Sequence, residues 1–331
     1  MSEGSIQGTC RTFCPARESD RRRKHREVHA LEKDPETGDV ILIKEYTRSG
    51  AGRDMTAPAE LRPGPVLSDC VVHLIQRVSS RTDARFLDVY DFICDRLRAV
   101  RQDLVIQRLS GVHVQRVLAS SLRFLLMAGY RLRKEDGFQE VLHANQVRET
   151  LSCYLERVEI KRNCHLEVLA VGLVLDLDEE LPWIRFLAMR GSRPEEEEEE
   201  LVGSLVSLKS AWLMENLPRM LRIAGRLPLL LQLAFGSLLP ALRRKALETL
   251  NAGFSSRGAG VPLPPLTAAL ALRDDGETAR LLAHHGIPVR QNCAAFRKSV
   301  FVHKPPLPLG TLPQVEAAWA EKDWPGWILS K

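Results

Sequence analysis

The sequence predicts a mainly α-helical protein in which stacked helical pairs are capped by a small C-terminal winged helix. Apolar residues recur in steps of three and four over much of the chain, which is the period of one helix face. The apolar segments are rich in leucine and aromatic residues make up only 6% of the chain, which favours helix over sheet. Near the C-terminus the rhythm changes to short helices followed by short extended runs, the order of elements in a winged helix.

Residues 1–62 are predicted to form a polar, poorly ordered segment. They are rich in Gly, Arg, Asp and Glu and have no long apolar period. The short apolar run Val40–Ile43 fits an extended stretch that wraps onto the following domain. Pro63-Gly64-Pro65 then marks a boundary, because that triplet is not expected inside a helix.

Residues 63–242 are predicted to form the stack of helices. Short connections favour antiparallel pairs that bury their apolar faces on one another, although no repeat of fixed length is present. The six glutamates Glu195–Glu200 repel one another and predict a solvated loop, with an acidic lure for a basic partner as the alternative. The predicted helices are 66–79, 84–107, 111–129, 138–158, 164–176, 181–190, 201–222 and 227–250, the last broken near Pro240.

Residues 243–304 are predicted to form the winged-helix module. Pro288 confines the first predicted strand to a sheet edge, and Phe296-Arg297-Lys298 leads into the second. The predicted helices are 242–254, 266–272 and 276–285, and the predicted strands are 287–290 and 299–302.

Residues 305–331 form a tail that contains Pro and Trp. Three of the five tryptophans lie there, at Trp319, Trp324 and Trp327. The tail is predicted either to pack back onto the domain or to be a docking peptide whose aromatic side chains anchor in a partner.

The positive charge of the chain is concentrated in the winged-helix module. The whole chain carries a net charge of +5, whereas residues 241–304 contain ten basic and four acidic residues. Five of these cations, on the predicted third helix and wing, are candidate nucleic-acid contacts: Arg273, Arg280, Arg290, Arg297 and Lys298. No aromatic residues alternate with them, as single-strand stacking would require.

A second basic cluster lies near the N-terminus. Arg21–Lys24 with Arg26 is a candidate nuclear-import signal or phosphate-binding arm, and a solubilising stretch is the alternative. Cys10, Cys14, His25 and His29 have a spacing that resembles a zinc site. The interval between the pairs has no aromatic residue or leucine to build a finger core, so no metal site is predicted.

No catalytic residue and no cofactor is predicted. The sequence lacks nucleophile-elbow, phosphate-loop, metalloprotease and dinucleotide-binding motifs, which argues against an enzyme. The seven cysteines are scattered and predict free thiols in a reducing compartment. The most apolar stretch, 227–240, is interrupted by Gln232, Gly236 and two prolines, so no membrane span is predicted.

The run from Tyr90 to Asp103 carries more charge than a packing helix needs. Its apolar residues form one stripe, and a solvated face is the ordinary explanation of the remainder. Asp91 and Asp95 are a like-charge pair that would need a cation from elsewhere. The candidate signature residues are Tyr90, Asp91, Phe92, Asp95, Arg96, Arg98, Arg101, Gln102 and Asp103.

This run resembles the signature of the SAC/GANP homology family. It departs from the family pattern at Cys94, Leu97 and Val105, where the family has Trp, Thr and Thr. Further blocks resemble the family in the same order upstream: Gly8-Thr9-Cys10, Cys14-Pro15 with Glu18, His29 with Leu31-Glu32, Tyr46–Gly52 and Leu61–Leu67. Several blocks in order are more specific than one motif. Beyond Gln107 the resemblance fades.

The resemblance implies a PCI-like helical stack with a winged helix and a non-catalytic scaffold. The partners it implies are a second PCI-domain protein and a small acidic Sem/DSS-type peptide. The chain resembles the short animal members, which are associated with centrosome duplication and mitotic progression, so centrosomal or spindle proteins are expected partners in the cytoplasm, at the centrosome and on the spindle. The alternative is an mRNA-export adaptor of a TREX-two-like complex, which would bind RNA and enter the nucleus. In PCI proteins the winged helix often pairs with another, so protein pairing is expected before nucleic-acid binding.

Overall fold

The computed structural model describes residues 6–48, 55–157, 166–189, 196–256, 260–299, 301–307 and 312–330. The described chain is mainly helical with one small sheet, as predicted. The helices are α1 (Ala16–Lys24), α2 (Gly64–His73), α3 (Phe86–Ile106), α4 (Val112–Leu132), α5 (Glu140–Arg157), α6 (Leu166–Leu175), α7 (Leu181–Met189), α8 (Glu196–Leu213), α9 (Leu217–Ala224), α10 (Leu229–Gly236), α11 (Leu239–Gly253), α12 (Leu263–Ala269), α13 (Asp275–His284), α14 (Pro313–Glu321) and α15 (Trp324–Leu329). The strands are β1 (Val261–Pro262), β2 (Val289–Arg290) and β3 (Cys293–Ala294).

The chain forms two compact units. Unit 1 comprises residues 1–161 together with 323–331, and unit 2 comprises residues 162–322. PCI-like stacking of successive helix pairs and the predicted domain boundaries remain predictions.

Unit 1 is built around the long helix α4. Its buried face includes Val117, Phe124 and Ala128, and it packs against α2, α3 and α5. The C-terminal helix α15 also lies on α4, with Ile328 fully buried and the Arg123 guanidinium donating to the Ser330 carbonyl. The last residues of the tail therefore pack back onto unit 1, which is one of the two alternatives that the tryptophans left open.

The N-terminal arm, residues 6–48, holds more structure than its polar composition predicts. It contains α1, a 3-10 turn at Ala30–Glu32 and an isolated bridge from Lys33 to Val40. Its apolar side chains Leu31, Leu42 and Ile43 are buried. The arm is ordered because charged side chains that a composition count treats as solvated are paired inside it.

Helix α2 begins at Gly64, so Pro63-Gly64-Pro65 does not lie wholly outside a helix. Pro65 occupies the first turn, where a missing backbone N–H costs nothing because that N–H has no partner within the helix. At its other end α2 widens into a π-helical turn over Leu74–Val78, which contacts α15.

Unit 2 begins with an apolar helix, α6, whose side chains Val168, Val171 and Val174 are buried. It packs against α8 and α10. The predicted helix 201–222 is divided into α8 and α9 by Glu215, whose φ is 54°. The predicted break near Pro240 is confirmed, at residues 237–238 between α10 and α11.

The solvated loop predicted for Glu195–Glu200 is wrong from residue 196 onward. Helix α8 begins at Glu196, and Glu199 and Glu200 are exposed on it. Carboxylates in a first helical turn interact favourably with the positive end of the helix dipole, which offsets part of their mutual repulsion. Glu195 lies outside the described residues.

Helices α11, α12 and α13 and the three strands follow one another as α11-β1-α12-α13-β2-β3, which is the order of a winged helix. The strands form one antiparallel sheet. The strands are arranged β1-β3-β2, with Val261 and Val289 both opposite Ala294. Gln291 and Asn292 connect β2 to β3 and both have positive φ, as a two-residue hairpin turn requires.

The predicted second strand is wrong: the partner of β2 is Cys293–Ala294, and residues 299, 301 and 302 are irregular. Val300 lies outside the described residues. Among the described helices, none is both long enough and apolar enough to cross a bilayer.

Candidate functional site

The family-like signature lies on α3, and its apolar stripe forms as the periodicity predicts. Ile93, Leu97, Val100 and Leu104 are buried on one face. The polar residues occupy the other faces, and most of them meet either the N-terminal arm or α5. The contacts of these polar side chains define what the signature does.

Asp103 is the centre of a buried cluster that we call the Asp103 cluster, comprising Asp103, Arg62 and Lys44. The carboxylate has no exposed surface. It accepts hydrogen bonds from Arg62 Nε at 2.7 Å, Lys44 Nζ at 2.7 Å and the Arg62 backbone N–H at 3.3 Å. Burial alone would lower the pKa of Arg62, but the charge of Asp103 raises it above its ordinary value. Two cations from different segments therefore converge on one desolvated carboxylate.

Gln107 extends this cluster toward the chain's N-terminal motif. Its Nε2 donates to the Arg62 carbonyl at 2.8 Å, and its Oε1 accepts from the Gly8 backbone N–H at 2.8 Å. A Cβ at Gly8 would lie 2.4 Å from the Leu61 carbonyl oxygen, so this position has no room for a side chain. The glycine of Gly8-Thr9-Cys10 is thus required by a close backbone approach.

A second buried group, the Glu32 cluster, comprises Glu32, Arg22 and Arg96. Arg22 is fully buried and donates from Nη1 to Glu32 Oε1 at 3.0 Å and to the Ile43 carbonyl at 3.1 Å. Arg96 Nη2 lies 3.5 Å from Glu32, and the Arg96 guanidinium lies over the Phe92 ring, 4.4 Å from its centroid.

The Glu32 carboxylate is held in its charged form. Burial by itself would raise the pKa of Glu32, but the hydrogen bonds from Arg22 and the Ile43 backbone N–H and the charge of Arg96 bring it below the ordinary value. Its Oε2 also accepts from the His29 backbone N–H at 3.0 Å, which closes a capping box around the 3-10 turn.

Three further signature residues bind the arm near Tyr46. The Arg98 guanidinium lies 3.9 Å from the Tyr46 ring centroid, and Gln102 Nε2 donates to the Thr47 carbonyl at 2.9 Å. Asp95 accepts from the Tyr46 backbone N–H at 3.2 Å and pairs with Arg96. Asp95 thus receives its cation from the neighbouring residue.

The remaining signature side chains contact α5 or face solvent. Tyr90 is buried, and its hydroxyl lies 2.9 Å from Nδ1 of His143, whose pKa burial lowers to about 4. Arg101 donates to Gln146 at 2.9 Å and to Thr150 at 3.0 Å. Asp91 is exposed on the surface of α3, and its pKa is raised by partial burial and by the charge of Asp88.

The signature residues therefore hold the N-terminal arm against α3. Arg96, Gln102 and Asp103 all join α3 to residues that precede α2. A general acid or base would have to be reachable by a substrate, whereas Asp103 and Glu32 are buried and neutralised by cations. The chemistry supported here is positioning of one segment on another.

The five candidate nucleic-acid contacts fall into two groups. Arg273 and Arg280 lie 3.2 and 3.9 Å from Glu277, a carboxylate that is only 1% exposed. Arg290, Arg297 and Lys298 are exposed and have no ion-pair partner among the residues that the structure describes.

Arg297 and Lys298 do not lie on the hairpin turn. The Arg297 backbone N–H donates to Asn251 Oδ1 at 3.0 Å, and that of Lys298 donates to Ser255 Oγ at 2.9 Å. These bonds place both residues beside the C-terminal end of α11, because the strand they were expected to precede does not form. Arg290 alone of the three lies on the hairpin, at the end of β2.

The cysteine and histidine residues near the N-terminus have other partners. Cys10 Sγ donates to the Thr12 carbonyl at 3.2 Å, and the His29 ring accepts from the Leu31 backbone N–H at 3.2 Å and stacks on Phe92. Burial raises the pKa of Cys14 to about 12, so its thiol stays protonated. Over the described part of the chain, no group of three or more His, Cys, Asp or Glu residues is arranged to hold a metal ion.

Sequence reasoning missed the partners of the signature residues: Arg22, Glu32, Lys44, Arg62 and Gln107. The signal was present, because Glu32 and Arg62 lie within blocks that resemble the family. Which cation meets which carboxylate is a tertiary fact, since Lys44 and Asp103 are 59 positions apart.

The fold and these clusters define a helical winged-helix protein with an internally fastened N-terminal arm. Residues 13–291 match the SAC3/GANP family, and the chain belongs to that family. The resemblance of the sequence blocks is confirmed.

Three curated relatives share part of the chain. SAC3 family protein 1 of Schizosaccharomyces pombe is 26% identical over 145 residues, which are 43% of this chain and 14% of the relative. SAC3 family protein B of Arabidopsis thaliana is 28% identical over 147 residues, 42% of this chain and 8% of the relative. Protein xmas of Drosophila melanogaster is 29% identical over 142 residues, 40% of this chain and 7% of the relative. The matches therefore span a small fraction of the length of these relatives.

Proposed function

We propose that this chain is a non-catalytic scaffold that acts in centrosome duplication and mitotic progression. The observation that carries the scaffold assignment is the use of the signature inside the fold: Asp103 of the signature, and Glu32 that meets its Arg96, neutralise buried cations and are unavailable as catalytic groups. The cellular role rests on the resemblance to the short animal members of the family. The proposed locations are the cytoplasm, the centrosome and the spindle.

The proposed partners are a second PCI-domain protein, a small acidic Sem/DSS-type peptide, and centrosomal or spindle proteins. Helix α7 supports a protein-binding role, because Leu181, Ile184 and Leu187 are 46–60% exposed at steps of three. Trp183 and Phe186 are buried, so the helix presents a separate apolar stripe to solvent. Three exposed carboxylates at 178–180 precede it and favour a partner helix with basic residues at its end.

The test is a tagged pull-down from interphase and mitotic cells, with and without nuclease, followed by mass spectrometry. The proposal expects nuclease-resistant recovery of a PCI-domain protein and of centrosomal and spindle proteins, enriched in mitosis. Ile184→Glu should reduce that recovery, whereas Arg222→Gln, an exposed change on α9 of the same unit, should not. Equal recovery with the Ile184→Glu variant, or no centrosomal proteins, would contradict the proposal.

The second candidate function is an mRNA-export adaptor in a TREX-two-like complex that binds RNA through its winged helix and enters the nucleus. The favouring observation is the exposure of Arg290, Arg297 and Lys298 without carboxylate partners in the described structure. Under this function, export factors should be recovered and lost on nuclease treatment. Changing all three residues to Gln should weaken RNA binding and flatten its salt dependence.

A further inference from the structure

Helix α1 carries a basic surface that neither the signature nor the winged helix uses. Arg17, Arg23 and Lys24 are exposed on α1, and Arg26 is exposed just beyond it. None of the four has an ion-pair partner among the described residues. Asp20 is the acidic residue on the same side of the helix, between Arg17 and Lys24. We call Arg17, Arg23, Lys24 and Arg26 the α1 basic surface.

The structure separates this surface from the basic cluster that the sequence contains. Arg22 is fully buried against Glu32, and Arg21 pairs with Glu27 at 2.8 Å. A nuclear-import signal is read as an extended peptide, and this segment is a helix whose second arginine is inaccessible. The cations without an ion-pair partner in the described structure therefore differ from the sequence cluster Arg21–Lys24 with Arg26. Arg21 and Arg22 drop out of it, and Arg17 is added.

The helix is held rigidly in place by bonds on its buried side. Arg22 donates to the carbonyls of Glu27 and Ile43, at 3.0 and 3.1 Å, and Glu18 accepts from the Glu45 backbone N–H at 2.9 Å. The exposed cations are therefore presented from a fixed element, which lowers the ordering cost of binding. The helix dipole favours cations in the last turn and accounts for Arg23 and Lys24, but it does not account for Arg17 or Arg26.

We propose that the α1 basic surface binds the phosphate backbone of a nucleic-acid duplex without reading its bases. Arg17 and Lys24 are seven positions apart, about 10 Å along one side of α1 with Asp20 between them, and Arg23 lies about 100° further round the axis, so the cations are spread over α1 and do not form a compact pocket. A duplex carries one negative charge for about every 1.7 Å of its axis, so cations spread over this length meet more than one phosphate. Three of the four cations are arginines, whose planar guanidinium matches phosphate oxygens two at a time.

Two other polyanions fit the surface less well. Over residues 6–40, which the structure describes throughout, no large apolar side chain is exposed beside the cations to enter a membrane. An acidic peptide would gain from an apolar anchoring groove, and the same stretch offers none. Base stacking is also absent from this surface, which is why the proposed contact is independent of sequence.

The test compares two triple variants of the full chain for binding to a fluorescently labelled 20-base-pair RNA duplex. The α1 variant is Arg17→Gln, Arg23→Gln, Lys24→Gln. The comparison variant is Arg290→Gln, Arg297→Gln, Lys298→Gln, which removes the same charge from the winged helix and shows whether that element binds the duplex instead. Fluorescence anisotropy is measured between 50 and 200 mM salt, and thermal unfolding of each variant checks that the fold is retained.

The α1 variant should lose at least about tenfold in affinity at 100 mM salt. Its salt slope should fall by about 2.7, since each phosphate contact contributes about 0.9. A loss confined to the winged-helix variant, or no binding by the wild-type chain, would overturn the proposal. Vesicles with 20% anionic lipid and a polyglutamate peptide serve as competitors; stronger binding of either to the wild-type chain, lost in the α1 variant, would also overturn it. Because the two triple variants act on different elements, the outcome does not depend on the proposed scaffold function.

Discussion

The N-terminal arm with α3 and the winged helix are both rich in arginine and lysine, yet they use these residues differently. Arg22 in the arm and Arg62 just before α2 are fully buried, and each faces a carboxylate that is itself buried. In the winged helix, Arg290, Arg297 and Lys298 are exposed without such partners in the described structure. The difference teaches that a basic residue stabilises the fold when a buried carboxylate lies within reach of it. A basic residue with no such carboxylate nearby stays exposed and is available to a binding partner.

The strongest way to break this comparison is to remove the carboxylate of the Asp103 cluster. Asp103→Ala leaves Arg62 and Lys44 desolvated without their counter-charge, which should cost about 3–5 kcal/mol of unfolding free energy. Urea denaturation of the full chain measures it. Asp91→Ala, at an exposed signature carboxylate on the same helix, should change stability by less than about 0.5 kcal/mol. Equal effects of the two changes would refute the difference between buried and exposed signature charges.

The Glu32 cluster adds a pH dependence. Glu32→Gln keeps the shape but removes the charge that Arg22 and Arg96 meet, at a cost of about 2–3 kcal/mol near neutral pH. Because the folded state holds the pKa of Glu32 below its ordinary value of 4.5, the charge contribution is complete above that pH and is lost as the pH falls through the folded-state pKa.

The measurement is urea denaturation of wild type and Glu32→Gln at several pH values between 7 and 3. The gap between the two proteins should narrow below about pH 4.5. Glu36→Gln, an exposed change in the same arm, should give a small and constant difference. A wild-type advantage that grows with acidity would mean that Glu32 does not carry the charge assigned to it.

Inside the winged helix, Glu277 offers a smaller version of the same pairing. Changing Arg273 and Arg280 together to Ala should destabilise the protein by about 1 kcal/mol, because Glu277 is buried but both arginines are mostly exposed and screened by solvent. Thermal unfolding of this double variant is compared with that of Arg290→Ala. The comparison distinguishes arginines that stabilise the fold from arginines that are available to a partner. A double variant as stable as wild type would assign Arg273 and Arg280 to the partner-facing group.

The smallest effect is expected from the exposed cations themselves. Changing Arg290, Arg297 and Lys298 to Gln should alter the unfolding free energy by less than about 0.5 kcal/mol, since these side chains form no ion pair in the described structure. The same urea series measures it. A loss above about 1 kcal/mol would show that these three residues stabilise the fold. It would contradict the statement that exposed cations without a carboxylate partner are available to a binding partner.

Local patterns predicted the helices well and the long-range pairing poorly. The stripe from Phe86 to Leu104 gave α3 to within a few residues, because helical period is written in neighbouring positions. The charged residues of the arm were predicted poorly. The polar composition predicted that Arg22 and Glu32 are exposed to solvent, whereas in the folded state they pair with each other and both are buried. Composition counts charges without showing which of them meet.

The sheet was missed for a related reason. Strand β3 is Cys293–Ala294, a two-residue run whose alanine is disfavoured in strands, and it forms because the positive-φ pair Gln291 and Asn292 turns the chain back beside β2. Ser299–Val302 has the better strand composition but lies too far along the chain for that turn. Asn292 was the available signal, and turn chemistry would have outweighed residue preference here.

The return of residues 323–330 to unit 1 has a consequence for biosynthesis. The ribosome must add the 161 residues of unit 2 before Ile328 exists to fill its place on α4. At about 5–20 residues per second this leaves unit 1 unfinished for about 8–32 s after its main part has been made. During that interval the surface that α15 covers on α4 and on the π-helical turn is open to chaperones, so the yield of folded protein should depend on how quickly translation passes through unit 2.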